Sequence, residues 1–184
     1  MPVIRNPHLY LTEGITWTAV ANHVAVKARH QEPCVFDADS MRLTPLPGTI
    51  PPLAFLAIMN SDLFSFLKMK FVKHTQKWEI GDLRQLPLAL PTPVQSSDLS
   101  RLATLAMAAK RAQFAGATPD NETALTVRQL AGELQATAPS YLRPSAQAVL
   151  LATPADCLAV VELAVNWEVE KLYGVEGLGP FDDF

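Results

Sequence analysis

The chain has 184 residues, of which 49% are hydrophobic, so it can bury a substantial core and is not a disordered polymer. Its net charge of -3 excludes a uniformly basic protein. It contains neither a run of about 18 apolar residues nor an apolar leader after Met1, so we expect a soluble cytoplasmic protein with no membrane partner.

Residues 14–44 have the composition of β-strands. The stretch 14–21 begins Gly-Ile-Thr-Trp and is rich in β-branched and aromatic residues. The stretch 23–29 alternates polar and apolar side chains almost strictly, which predicts a strand with one buried face. The short apolar stretch 34–36, Cys-Val-Phe, is bounded by Pro33 and Asp37 and suits a core strand.

A helix is predicted over residues 51–70. Thr49 can cap it, and the two prolines at 51 and 52 stand where a missing N–H group costs least. Residues 76–90 are then predicted to return to extended structure, with Trp78 and Ile80 in the core. Gly81-Asp82 forms a turn, and the Leu-Pro steps of 86–91 suit an edge strand or a polyproline segment.

The second half is predicted to be helical. We expect helices over 98–115, capped by Ser97, and over 122–136, whereas 140–152 is ambiguous. Thr153-Pro154-Ala155-Asp156 is a strong helix start, and this helix runs to about Tyr173 before Gly174 ends it. The predicted fold is α+β: a small mixed β-sheet with one packed helix in residues 1–93, followed by a helical C-terminal region in residues 94–184.

No catalytic motif is present. There is no GxSxG, no glycine-rich phosphate loop and no HExxH. Residues 6–10, Asn-Pro-His-Leu-Tyr, partly match the loop with which amino-methyltransferases hold a flipped base. A histidine replaces the second proline and the aromatic residue comes one place late, so an N-terminal turn is the better interpretation. We therefore predict no catalytic residue in this chain.

No metal site is predicted either. Asp37 and Asp39 stand two apart, but no third ligand follows at a suitable spacing, which favours a solvated strand end. Cys34 and Cys157 are far apart, so they form no zinc motif or disulfide framework and are expected to be buried small residues.

Binding chemistry is concentrated in the first half. Residues 1–92 hold nine Lys/Arg against seven Asp/Glu (+2), whereas residues 93–184 hold six against eleven (-5). A nucleic-acid surface therefore belongs to the first half, since cations hold phosphates, Arg and Lys read guanine edges, and Gln reads adenine. The alternative is a solvated basic face. The candidate DNA-binding residues are Arg29, His30, Lys68, Lys70, Lys73, His74, Gln76, Lys77 and Arg84.

The order of several motifs resembles the target-recognition domains of large bacterial adenine-specific DNA methyltransferases. These motifs are "EGITWTAVANHVAVKARHQEPCVFDADSMRL", the Asn-Ser step in "FLAIMNSDLFSFLKM", the strand and Gly-Asp-Leu turn in "TQKWEIGDLRQLPLALP", and the final "VEKLYGV". Such domains occur in type IIG restriction–modification enzymes and in BREX phage-defence methyltransferases, and type I specificity subunits have a related recognition fold. The resemblance covers residues 10–115 and, more weakly, 155–176.

The resemblance implies DNA sequence recognition for an adenine-N6 methyltransferase. The partners would be double-stranded DNA and an N-terminal methyltransferase domain or subunit, and S-adenosylmethionine would bind there and not to this chain. Lys68, Lys70, Lys73 and Lys77 would dock on phosphates, and base edges would be read by some of Arg29, His30, His74, Gln76 and Arg84. Because no cofactor loop precedes residue 10, we expect a C-terminal fragment, an excised piece or one half of a split gene.

Two other functions stay open from the sequence. The acidic helical half is compatible with a protein-interaction module that docks onto another subunit of a defence system. The chain is also compatible with a small enzyme whose site follows no known motif. DNA binding that weakens with salt separates the first alternative from DNA recognition, and methyl transfer by the chain alone would favour the second.

Overall fold

The computed structural model describes residues 9–20, 25–35, 40–44, 46, 48–151 and 153–182. The Asn-Pro-His part of the 6–10 motif, residues 23 and 24 of the alternating stretch, Phe36, Asp37 and Asp39 lie outside the described residues. In chain order the elements are β1 (Gly14–Thr18), β2 (Arg29–Gln31), β3 (Ser40–Leu43), α1 (Pro52–Met59), α2 (Asp62–Leu67), a π-helical turn (Lys68–Val72), α3 (Ile80–Leu83), α4 (Pro93–Ala115), α5 (Asn121–Thr137), a 3-10 turn (Ser140–Leu142), α6 (Ala146–Val149) and α7 (Pro154–Tyr173).

The predicted α+β class is confirmed: in the described residues, three strands form one small sheet and the other regular structure is helical. The strand order is β2-β1-β3, and both pairings are antiparallel where a mixed sheet was expected. β1 is the central strand and is buried over four of its five residues, with Ile15 and Trp17 in the hydrophobic core. Its neighbours are short and form the two edges.

Three of the predictions of extended structure are wrong in the described residues. Residues 76–90 contain no strand beyond the single β-bridge of Lys77, and Gly81 and Asp82 lie within α3 instead of forming a turn. The alternating stretch contributes only its last residue, Arg29, to a strand, because the backbone N–H and C=O of Ala28 bond the side chain of Asn60 instead of a neighbouring strand. Cys34 and Val35 are not in a strand, and Val35 is 64% exposed, so this part of the stretch is not in the core.

The predicted helix over 51–70 is broken at Asn60-Ser61. The Asn60 side chain bonds both Ala28 and the carbonyl of Leu56 in its own helix. Ser61 starts a new helix because its hydroxyl accepts the N–H of Phe64 at 3.2 Å. The residue at the N-cap of α1 is Pro51, so Thr49 does not cap it. The last predicted turn is π-helical.

The helices of the second half follow the sequence signals closely. α5 and α7 are confirmed, with Asp120 and Thr153 as their caps and Gly174 in the left-handed conformation that ends α7. α4 begins five residues earlier than predicted, because Thr92 and not Ser97 accepts the capping N–H group. The ambiguous stretch 140–152 contains a 3-10 turn and the short α6.

One hydrophobic core joins the sheet to the C-terminal helices. It runs from Ile15 and Trp17 in β1 through α1 to Leu102 in α4 and Val160 in α7. Asn166 of α7 adds a polar link, because its side chain both accepts the N–H of Asp62 and donates to that residue's carboxylate. The division into residues 1–93 and 94–184 stays a prediction. None of the helices in the described ranges is both long and apolar enough to cross a bilayer.

Candidate nucleic-acid interface

Seven of the nine predicted residues fall in a single stretch that we call the basic segment, residues 68–84. It consists of the π-helical turn, a loop over residues 73–79 and α3. Five cationic side chains against two acidic ones give this stretch a formal charge of +3 in a chain whose net charge is -3. The structure therefore concentrates positive charge locally, although the whole chain is acidic.

Backbone contacts fix both ends of the loop. At its start, the N–H of Lys73 donates to the carbonyl of Lys68 at 2.8 Å. At its end, Lys77 forms a β-bridge with Val20, and the N–H of Trp78 donates to the carbonyl of Ala19 at 2.8 Å. The loop is thus attached to the helical turn on one side and to the end of β1 on the other.

Trp78 anchors the loop in the core, as the sequence predicted. It is 4% exposed and its ring lies 5.9 Å from that of Trp17 and 6.2 Å from that of Phe64, measured between centroids. The indole N–H of Trp17 also donates to the Trp78 carbonyl at 3.2 Å. Trp78 is therefore scaffold in this structure and presents no ring for stacking on a base.

The tip of the loop is its most accessible part. His74, Thr75 and Gln76 are all exposed, and the side chains of His74 and Gln76 make no hydrogen bond to any residue that the structure describes. An imidazole and a carboxamide thus project from a loop whose two ends are fixed. These groups are suited to read base edges, because both offer donors and acceptors.

Lys68 does not occupy the surface position that the sequence suggested. It is 2% exposed, and its ammonium donates to the carbonyl of Thr75 at 2.7 Å. Burial lowers its pKa, with a further lowering by the positive charge of Lys73, while Asp82 opposes the shift. Because its ammonium faces inward, Lys68 does not dock on a phosphate in this conformation.

Lys73 and Lys77 are at the surface, but both have acidic partners. Lys73 Nζ lies 3.0 Å from Asp82 Oδ2 and 3.7 Å from Glu79 Oε2, and Lys77 Nζ lies 3.0 Å from Glu79 Oε1. Partial burial works to raise the pKa of Asp82, but the N–H of Glu79 and the ammonium of Lys73 outweigh it and hold that pKa below its usual range. The sequence interpretation missed these two acids, although Glu79 stands only two residues after Lys77.

Lys70 and Arg84 are the cations of the basic segment with exposed side chains and no acidic partner among the described residues. Lys70 Nζ lies 5.8 Å from the centre of the Phe66 ring, and Arg84 follows directly after α3. Both cations are therefore free to meet phosphates.

Arg29 and His30 lie apart from the basic segment, on the edge strand β2. They pair with Thr16 and Ile15 of β1, whereas the loop meets that chain four to five residues further on, at Val20. Arg29 is exposed, and His30 Nε2 lies 3.7 Å from a carboxylate oxygen of Glu13. No hydrogen bond or ion pair connects these two residues with the basic segment in the part of the chain that the structure describes.

An open groove of about 450 Å³ lies beside the first turns of α1 and α4, and its walls contain no titratable side chain. They consist of Thr49, Pro51, Pro91, Pro93, Ser96, Ser97 and Ser100. Within the described ranges, no three His, Cys, Asp or Glu side chains are grouped so that they could hold a metal ion.

No protein-family model matches the chain, and neither a curated protein nor a solved structure matches it.

Proposed function

We propose that this chain is a recognition module for double-stranded DNA that serves an adenine-N6 methyltransferase. The observation that carries the proposal is the exposed tip His74–Gln76, held at both ends on a segment with a charge of +3. The order of sequence motifs supports it independently. The methyltransferase domain or subunit would bind S-adenosylmethionine and carry out the chemistry, and this chain would contribute neither cofactor contacts nor a catalytic residue.

The residues have separate roles in this proposal. Lys70, Lys77 and Arg84 bind phosphates, because their charged side chains are exposed. Such contacts form on any DNA sequence. Gln76 and His74 read base edges from the loop tip. A carboxamide can bond adenine N6 and N7 together, which gives Gln76 a preference for an A·T pair in the major groove. Arg29 stays a candidate for a contact outside the basic segment.

The paired acids lower the affinity that the chain alone can have for DNA. Glu79 and Asp82 neutralise much of the charge of Lys73 and Lys77 in the free chain. Affinity for DNA alone is therefore modest, and full affinity requires the phosphate contacts of the methyltransferase partner.

The proposal is tested by titrating a labelled random-sequence duplex with the chain at 50 and 200 mM salt and following fluorescence anisotropy. Three phosphate contacts predict a slope of log affinity against log salt of about -2.7, which is a loss of roughly 40-fold between these concentrations. No binding at 50 mM salt, together with capture of a defence-system subunit through the acidic helices, would instead support the protein-interaction alternative.

A further inference from the structure

Lys68 is a charged side chain in the protein interior, where an ionised group is energetically unfavourable. It is 2% exposed and lies in the π-helical turn next to the buried Met69, whose sulfur is 3.3 Å from its Nζ atom. Removing an ammonium from water is unfavourable unless hydrogen bonds replace its hydration. The shortest of its described contacts is the 2.7 Å bond to the carbonyl of Thr75.

That bond acts on the middle of the loop. Thr75 is the central residue of the exposed tip, and the backbone contacts of Lys73 and Trp78 fix only the two ends. The remaining described bond of Thr75, from its hydroxyl to the carbonyl of Lys77, is local at 3.3 Å. Lys68 therefore connects the tip with the interior across seven residues.

We propose that Lys68 is a positioning residue, which holds the loop in the one shape that presents His74 and Gln76 to base edges. The inference rests on the proposed function, because it assigns base reading to the tip. Its consequence differs from that of the sequence prediction. A lysine that binds a phosphate raises affinity for every sequence, whereas a buried lysine that fixes the shape of the loop raises discrimination between sequences.

The test compares Lys68→Met with Lys70→Met in the full chain. Both variants remove one lysine charge from the same turn, but Lys70 is exposed and has no described contact with the loop. For Lys68→Met we expect discrimination between a preferred duplex and a random duplex to fall roughly tenfold, with an unchanged salt slope. For Lys70→Met we expect unchanged discrimination and a slope smaller in magnitude by about 0.9.

Amide hydrogen exchange gives a readout that needs no DNA. In Lys68→Met, the protected amides of Lys73 and Trp78 should exchange roughly tenfold faster or more, because a hydrogen bond from a charged group is lost between them. The amides of α7 should not change, which shows that the chain is still folded. If exchange at Lys73 and Trp78 is the same in both variants, Lys68 does not position the loop.

A measurement on the unaltered chain covers the case in which Lys68→Met does not fold. The Nζ hydrogens of Lys68 should exchange with water much more slowly than those of Lys70 in a lysine-selective NMR experiment. Equal rates would overturn the inference. If the chain binds no DNA but the Lys68 Nζ hydrogens exchange slowly, the proposed function fails while the structural role of Lys68 stands. If the chain binds DNA but these hydrogens exchange as fast as those of Lys70, the proposed function stands and the role of Lys68 fails.

Discussion

Lys73 and Asp82 form an ion pair within the basic segment, with 3.0 Å between Nζ and Oδ2. The segment therefore contains its own counter-anions, because Glu79 pairs with Lys77 in the same way. A phosphate must replace these carboxylates before it can bind the two lysines. This competition limits the affinity of the isolated chain and gives the acids a measurable effect on binding.

Replacing Glu79 by glutamine should strengthen DNA binding. The change releases Lys77 from its acidic partner and removes a negative charge near the loop, so the dissociation constant at 50 mM salt should fall by roughly 3-fold. Anisotropy titration measures it. Glu133→Gln is the matched control, because it removes the same charge from an exposed position in α5, outside the basic segment. Equal affinity in both variants would contradict a role of Glu79 in shielding the lysines.

The ionised carboxylate of Asp82 should stabilise the folded chain at neutral pH and lose this effect at low pH. Folding lowers its pKa below 3.8, so its ionised form contributes stability above that pH, which is lost as the pH falls through the lowered value. Asp82→Asn keeps an acceptor for the N–H of Glu79 but removes the charge. We expect urea unfolding to show a loss of about 1 kcal/mol at pH 6 that disappears toward pH 2.

A double-mutant cycle identifies the partner of that charge. If the ion pair with Lys73 causes the loss, Asp82→Asn should have little effect in a Lys73→Met background. An undiminished effect there would assign the loss to the backbone contact of Asp82 instead.

Tyr141 should stabilise the chain more at neutral pH than in acid. Its hydroxyl donates to Glu170 Oε2 at 2.6 Å, and Glu170 is 2% exposed. Burial raises the pKa of Glu170. The contribution of this carboxyl group to stability is therefore largest below about pH 4.5 and is lost as the pH rises through the raised value. Tyr141→Phe leaves the ionised carboxylate without this donor. Urea unfolding should show a loss of about 1–3 kcal/mol at pH 7 and a smaller one at pH 4.

Tyr173→Phe is the control for that prediction, because its hydroxyl donates to the backbone carbonyl of Pro87 and not to an acid. Its effect should be the same at both pH values. A pH-independent effect of Tyr141→Phe would show that the bond to Glu170 does not stabilise the carboxylate.

Asn60 should stabilise the entry into β2. Its side chain donates to the carbonyl of Ala28 at 3.1 Å and accepts the N–H of the same residue at 3.0 Å, one residue before Arg29. Asn60→Ala should lower the free energy of unfolding by about 1–2 kcal/mol and speed amide exchange at Ala28. Asn121→Ala at the first position of α5 removes an exposed asparagine without such contacts. Unchanged exchange at Ala28 would show that Asn60 does not fix this strand.

The elements that the sequence predicted well carry their signals locally. α7 needs only Thr153, Pro154 and Asp156 for its start and Gly174 for its end, and all of these lie within or beside the helix. α5 has the same kind of cap in Asp120. Local hydrogen bonds decide such ends, so a short stretch of sequence contains the information.

The errors arise where distant contacts decide. Nothing near Asn60 shows that its side chain bonds Ala28, 32 residues earlier, and that bond breaks both a predicted helix and a predicted strand. Lys68 stands in a basic stretch and was therefore predicted to bind phosphate. In the structure its side chain is buried and its ammonium donates to the Thr75 carbonyl. The position of Trp78 was predictable because a large aromatic residue after a polar stretch favours the core.

Selection of bound duplexes from a random library tests the central claim most directly, when it is performed with the wild-type chain and with Gln76→Ala. Recognition through the loop tip predicts that the wild type enriches a short motif and that the variant loses preference at one A·T position while the others persist. Enrichment of no motif by the wild type, or of an identical motif by both chains, would contradict base reading by this loop.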